Sequence, residues 1–329
     1  MSKNILVIGL GSMGKRRIRL LLDNFKGINV FGVDNNENRR KEVLNKFNIK
    51  VFGNINQALE SENILAAIVS TPPLTHYKII KKCLVNDLHV FTEINLINKG
   101  YNELMKISSD NELELFLSST MIYRNELEFI YNTIVESNNK VNYRYHVGQY
   151  LPDWHPWEDY NDFFVKDEKS NGCRELMAIE LPWIIRTFGK IEEIKVFKDK
   201  ISELNINYPD TYNMILKHKN GHTGNFSVDI VSRKAIRNLE IYSEDLHIFW
   251  DGTPEGLKKY DLQNKKINKI NVYKDYEQDN KYADNIVETA YLDELKIFLN
   301  KITNDNNQIS KYDFSDDLYT LSIIDQIEE

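Results

Sequence analysis

Ile5-Leu6-Val7-Ile8-Gly9-Leu10-Gly11-Ser12-Met13-Gly14 decides how the first part of this chain folds. Four apolar residues in a row suit a strand buried on both faces of a parallel sheet, and residues 15–23 then carry apolar side chains at helical spacing. Strand, glycine turn and helix come in the order that a dinucleotide-binding unit requires. Gly9 permits the tight turn, Gly11 lets a pyrophosphate approach the backbone, and Gly14 lets the helix pack closely on the strand. The helix, opening at Ser12 and Met13, turns its N-terminal amides toward the phosphates. Residues 29–33 read as a second strand ending in Asp34, twenty residues beyond Gly14. An acid there suits the ribose hydroxyls of NAD and repels the extra phosphate of NADP. Asn35, Arg39 and Arg40 soften that choice, because an arginine just past the acid can accept a 2′-phosphate. The expected cofactor is NAD, with NADP disfavoured.

Bulk properties bound the rest. A chain of 329 residues is long enough for two domains and a sizeable core. Its 42 Lys plus Arg are scattered and outnumbered by 49 Asp plus Glu, which argues against a nucleic-acid partner. Cys83 and Cys173 are too few and too far apart for a disulfide framework or a zinc site. The histidines and carboxylates show no metal-ligand spacing, so no metal is expected. No apolar run reaches the roughly 20 residues that span a bilayer. With no basic-then-apolar leader before the first strand, the expected location is the cytoplasm.

The first 119 residues alternate strands and helices in the manner of a doubly wound sheet, with strands near 50–52, 65–69, 89–91 and 114–117. Helices are expected over 35–47, 55–60 and 76–85, the last following Ser70-Thr71-Pro72-Pro73. From about residue 120 the texture changes to longer alternating strands, at 141–147, 194–198, 212–218, 223–232, 237–242 and 246–250. Few helices separate them, so residues 120–329 read as an α+β domain with an open, largely antiparallel sheet. Helices at 126–137, 283–302 and 314–327 complete the pattern. One face of such a sheet is available for a homo-oligomer, a dimer or tetramer.

The glycine turn, Ser70-Thr71-Pro72-Pro73-Leu74-Thr75-His76 and the strand leading into Glu93 resemble the glucose-fructose oxidoreductase, inositol dehydrogenase and MocA (Gfo/Idh/MocA) family over nearly the whole chain. The resemblance implies a Rossmann domain at 1–119 and a substrate-carrying domain at 120–329. It also implies hydride transfer between NAD(P) and a ring carbon of a sugar, cyclitol or nucleotide sugar. Thr71, Pro72 and Glu93 are then expected along the cofactor. In that family a Glu-Lys-Pro motif ends a Rossmann strand and its lysine lies near the nicotinamide, while a glycine-led helix brings an aspartate and a histidine.

This chain departs from that pattern at the points of chemistry. Glu93 is followed by Ile94 and Asn95, and the segment Gly172 to Ile179 sets Glu175 at the aspartate and Ile179 at the histidine. A positioned acid or base typically contributes a factor of about 10² to 10⁴ in rate, and an isoleucine can neither take nor give a proton. The stretch 145–160 is the richest polar and aromatic cluster, and Gln149, Asp153, Trp154, His155 and Trp157 are its candidate sugar contacts. His155 is the first alternative acid or base, since an unperturbed histidine titrates near about 6.5. Glu93 and Tyr123 are further candidates. Arg124 matches a family arginine near the substrate, and Arg174 and Glu175 suit a carboxylate and a hydroxyl, although ordinary salt bridges would explain each equally. His146 is either a ligand or a satisfied core histidine. His76 and His89 read as structural, and His218 and His222, flanking Gly221, as solvent exposed.

Three functions stay open on the sequence. The chain is an NAD-dependent oxidoreductase of a sugar or nucleotide sugar, in surface-sugar or sialic-acid-like biosynthesis, with a non-lysine acid or base. Alternatively it is an epimerase or lyase that retains its NAD, or a silent relative that binds a sugar or a partner.

Overall fold

The structure is a computed structural model that describes residues 3–137, 139–154, 159–274, 287–303 and 309–329. The chain forms two compact units, one of Met1–Ser119 with Leu292–Leu318 and one of Thr120–Tyr291 with Tyr319–Glu329.

In the first unit, strands β1 (Lys3–Ile8), β2 (Ile28–Val33), β3 (Val51–Phe52), β4 (Ala66–Val69), β5 (His89–Thr92) and β6 (Leu115–Leu117) form one sheet in the order β3-β2-β1-β4-β5-β6. Every pairing is parallel. Parallel strands must be joined by crossovers, and helices α1 (Ser12–Asn24), α2 (Glu37–Phe47), α3 (Ile55–Ser61), α4 (His76–Leu84) and α5 (Tyr101–Asp110) provide them. α5 adds a crossover helix to those read from the sequence. Strand order reverses between β1 and β4, so the carboxyl ends of these two strands mark the place where open parallel sheets hold ligands. Ile5, Leu6, Val7, Ala66, Ala67, Ile68 and Val69 are wholly buried, as continuous apolar runs in a doubly covered sheet should be.

A buried charge network ties this unit together. Arg17, on α1, has no exposure and donates from Nε and Nη2 to the two carboxylate oxygens of Glu93, at 2.8 and 3.0 Å. Its Nη2 also reaches Glu294 at 2.9 Å, and its guanidinium lies 4.5 Å from the Phe91 ring centre. Glu294 in turn accepts from the Ser118 hydroxyl at 2.9 Å and the Ser119 amide at 2.8 Å. Burial alone would pull the Arg17 pKa down, but Glu93 and Glu294 outweigh it and hold the guanidinium firmly charged. Burial pushes Glu294 up, with Arg17 opposing.

In the second unit, β7 (Asn142–Gly148), β8 (Ile191–Asp199), β9 (Thr211–His218), β10 (Thr223–Asp229), β11 (Ile236–Tyr242), β12 (His247–Trp250), β13 (Lys258–Asp261) and β14 (Lys266–Lys269) make a sheet ordered β14-β13-β12-β11-β7-β10-β9-β8. Only β7 and β10 pair in parallel. Helix α6 spans Asn125–Ser137, and helix α7 spans Gly172–Phe188 and packs on β9 and β10. Inward residues alternate with outward ones: Tyr143, Tyr145 and Val147 are buried, whereas Arg144 is exposed and His146 half-buried. Glu180, on α7, is fully buried yet satisfied, accepting from Tyr145 Oη at 2.8 Å, Trp183 Nε1 at 2.7 Å and Arg237 Nε at 2.8 Å. Helices α8 (Glu288–Ile302) and α9 (Phe314–Glu328) close the chain; the expected residues 283–286 of the former lie outside the described residues.

The expectation that His218 and His222 face solvent is corrected. His218 is wholly buried, bonded to Tyr143 Oη at 2.9 Å and to the Gly189 carbonyl at 2.6 Å, and burial pulls it down to about 4. His222 is buried too, and its Nδ1 accepts from the Val141 amide at 3.1 Å. The turn at Gly221 folds back on the core, and both rings fill space beside Phe188.

Removing one member of a buried ion cluster strands the others. Arg17→Met is expected to lower the unfolding free energy by about 3–5 kcal/mol, as measured by chemical denaturation. A loss within experimental error would show that the network does not hold the unit.

Candidate functional site

The turn between β1 and α1 is shaped by close approach. Gly9 has φ +92°, and a Cβ there would lie 2.6 Å from the Ser70 carbonyl oxygen at the end of β4. A Cβ on Gly14 would meet the Gly9 carbonyl oxygen at 1.9 Å, so the helix starts hard against the turn. Gly11 differs: a Cβ there would have nothing within 4 Å. The space it faces is open, and Gly11, the N-cap residue of α1, has no side chain with which to cap the helix. Helix N-termini without a cap present amides to anions, so this cradle fits the pyrophosphate of a dinucleotide. Ser12 and Met13, in the first turn of α1, are half-buried beside it.

Asp34 closes the same end of the sheet. Its buried carboxylate accepts from the Leu10 amide and the Asn36 amide, each at 2.8 Å, which aims it from the end of β2 back at the glycine turn. Asn35 and Arg39 are exposed, and the Arg39 guanidinium stands 3.9 Å from the Asp34 carboxylate. Arg40 is bonded to the Asp34 and Asn35 carbonyls at 2.7 and 2.9 Å and so braces the loop. The residues present fit a nicotinamide dinucleotide: a phosphate cradle at Gly9 to Gly14 and an acid for the ribose.

Thr71 is half-buried and Pro72 exposed at the end of β4. His76, at the start of α4, is buried and holds this loop, with Nε2 2.7 Å from the Thr71 carbonyl and Nδ1 2.7 Å from the Asn95 side-chain oxygen Oδ1. Burial pulls the His76 pKa down, with the contacts to Asn95 and the Thr71 carbonyl opposing. Asn95 therefore has a structural task, linking the end of β5 to the Thr71 turn. Glu93, beside it, is bound bidentately by Arg17 and touched by Ser70 Oγ at 3.4 Å, a commitment that weighs against its acting as the proton carrier. Ile94 is half-buried between them.

In the second unit, the segment after β7 turns over the start of α7. Leu151 and Gln149 donate their amides to the Ile230 and Asp229 carbonyls at 2.9 and 3.3 Å, and Trp154 Nε1 donates to the Gln149 carbonyl at 3.0 Å. The Trp154 indole lies 3.4 Å from where a Gly172 Cβ would sit, so Gln149, Trp154 and the N-terminus of α7 are brought together. Asp153 is exposed. His155 and Trp157 lie outside the described residues.

The charged candidates divide. Arg124 is buried, paired with Glu126 and 5.0 Å from the Trp250 ring, while Tyr273 donates to the same Glu126. Arg174 is buried and paired with Asp325, at 2.6 Å, and with Glu328. Both arginines serve ordinary internal ion pairs, the alternative their sequence context allowed. Tyr123 is buried in the turn before α6. Glu175 stands apart. It is half-buried, its Oε2 is sealed from solvent without a hydrogen-bond partner among the described residues, and burial pushes its carboxyl up to about 8. His146 is half-exposed and held by Asp229 at 2.6 Å on the outer face of the sheet, a polar groove shared with Arg144, Asn225 and Asn238. Nothing in a single sequence reveals that Arg17, inside a helix, meets Glu93 and Glu294.

Comparison with known proteins agrees with this geometry. Residues 3–94 match the Gfo/Idh/MocA model, described as an oxidoreductase family with an NAD-binding Rossmann fold. No curated protein matches the chain. Solved structures share its fold. The UDP-N-acetylglucosamine 3-dehydrogenase of Acidithiobacillus ferrooxidans superposes with a TM-score of 0.75 at 15% identity, covering 100% of this chain and 97% of its own. The WlbA dehydrogenase of Chromobacterium violaceum, solved with NADH and UDP-GlcNAcA, gives 0.78 at 12% identity, covering 99% and 92%. The myo-inositol 2-dehydrogenase of Lactobacillus plantarum gives 0.77 at 15% identity, covering 99% and 96%. At such identities the likeness is one of fold. Residues 3–94 of the chain are the NAD-binding Rossmann domain of the Gfo/Idh/MocA oxidoreductase family.

Proposed function

We propose that this protein is an NAD-dependent oxidoreductase that acts on a sugar or nucleotide sugar and uses a proton carrier other than lysine. The observation that carries the reading is the open space at Gly11 before an uncapped α1, with Asp34 aimed at the same turn. Gly9, Gly11, Ser12, Met13 and Gly14 would hold the phosphates, Asp34 and Asn35 the ribose, and Thr71, Pro72 and Glu93 would line the rest. Bound NAD supplies a hydride acceptor or donor. The sugar class is supported by similar folds solved as UDP-N-acetylglucosamine and inositol dehydrogenases. Gln149, Asp153, Trp154, His155 and Trp157 are the proposed sugar contacts. Assembly as a homo-oligomer and a cytoplasmic setting belong to the same proposal. Isoleucine at both 94 and 179 favours, as a second reading, an epimerase or lyase that keeps its NAD.

NADH fluorescence titration tests the cofactor site. NADH is expected to bind more tightly than NADPH, and Asp34→Ala to narrow the gap; equal binding of both by the unaltered protein would contradict the role given to Asp34. Gly11→Ala is expected to leave the melting temperature unchanged while weakening NADH at least about tenfold, or roughly 1.4 kcal/mol. Unchanged affinity would place the phosphates elsewhere.

A further inference from the structure

We propose that one long-lived water molecule is built into the first unit, its oxygen accepting a hydrogen bond from Nδ2 of Asn95 in a cavity between α4 and α5.

Buried polar groups are almost always hydrogen-bonded, and an orphaned one needs a reason. Asn95, in the connection from β5 to α5, is only 4% exposed, and the fold treats the two ends of its amide differently. Oδ1 lies 2.7 Å from Nδ1 of His76. Nδ2 is sealed from solvent and has no hydrogen-bond partner among the described residues. A buried donor left unmet is costly, so something must accept from it. The family resemblance sets a proline at this place, and a proline has no side-chain amide. The need for an acceptor therefore arises from this chain's own residue.

Asn95 lines a small cavity walled by the apolar side chains of Leu74, Ile80 and Leu104, with His76 and Tyr101 as further polar neighbours. Its volume is about 10 Å³, which matches the room one water needs and excludes an organic ligand. Tyr77 belongs to the same lining and lies across Gly100, where φ is +73° and a Cβ would come within 2.1 Å of the Tyr77 ring. A side chain at residue 100 would push that ring away, so the glycine keeps this wall in place.

The occupant must accept from an N–H, which a metal cation cannot do and a water oxygen can. A buried water needs at least two polar partners. The second is the Tyr101 hydroxyl, which gives its own proton to Asp317 Oδ2 at 2.5 Å and so keeps lone pairs for a hydrogen of the water. Burial, reinforced by Asp317, holds that proton on Tyr101, and the nearby Asn95 amide opposes the rise. No hydrogen bond joins Nδ2 to the hydroxyl directly, and the water bridges them. With Nδ2 engaged in this way, the amide keeps Oδ1 on His76, whose Nε2 lies 2.7 Å from the Thr71 carbonyl. One water thus steadies the turn at the end of β4 through two side chains.

The test is a joint X-ray and neutron structure of the full chain grown in D₂O without cofactor, so that its outcome is independent of the oxidoreductase reading. A D₂O molecule is expected within about 2.7–3.2 Å of Asn95 Nδ2, with the deuterons of Nδ2 aimed at its oxygen and Oδ1 facing His76. A cavity without a water, or Nδ2 bonded directly to a protein acceptor, would overturn the proposal. Asn95→Leu, similar in shape but without the donor, is expected to lose the water. A water that stays in place in Asn95→Leu would show that other groups hold it and would reject the role given to Asn95. Should that variant not fold, the amide orientation and the water in the unaltered protein decide the question by themselves.

Discussion

Arg17 sits without exposure between Glu93 and Glu294 and against the Phe91 ring, and the carboxyl end of the first sheet is organised around it. A guanidinium can be kept in such a place only when its donors are met, and the bidentate grip on Glu93 meets them while fixing the end of β5 to α1. From there the order propagates along a chain of short contacts. Asn95 follows Glu93 and holds His76, His76 holds the Thr71 carbonyl, and Ser70 lies against Gly9. The glycine turn is therefore positioned from two sides, by the strand it follows and by the network behind it.

That arrangement reassigns the glutamate that the family resemblance set next to the lysine. Glu93 is part of the frame, bound to an internal cation. Ile94 leaves the adjoining position unable to carry a proton, and Ile179 does the same in the second unit. On α7, Oε2 of half-buried Glu175 has no hydrogen-bond partner among the described residues, whereas buried Arg174 and Glu180 are paired.

Much of this was legible in the sequence, for physical reasons that differ by element. β1 and β4 are continuous apolar runs, and the glycines between β1 and α1 are forced by backbone approach, so both leave a strong local signature. The alternation in β7, β9 and β10 follows from one buried face. β13 and β14 were not legible, because Lys258–Asp261 and Lys266–Lys269 are mostly polar and half-buried or exposed, with no alternation to read. His218 and His222 misled because a glycine turn usually marks the surface, whereas here the ring nitrogens are satisfied by Tyr143, the Gly189 carbonyl and the Val141 amide. The Arg17 network and the isolation of Glu175 were invisible for a deeper reason. Both depend on which distant residues meet, a property that neither spacing nor composition records.

The central claim is that the cradle at the ends of β1, β2 and β4 holds a nicotinamide dinucleotide. Hydrogen–deuterium exchange of the full chain with and without NADH tests it most directly. Added protection is expected at the amides of residues 10–15, 34–36 and 70–72, with β13 and β14 unaffected. Bound NADH that leaves residues 10–15 unprotected would contradict it.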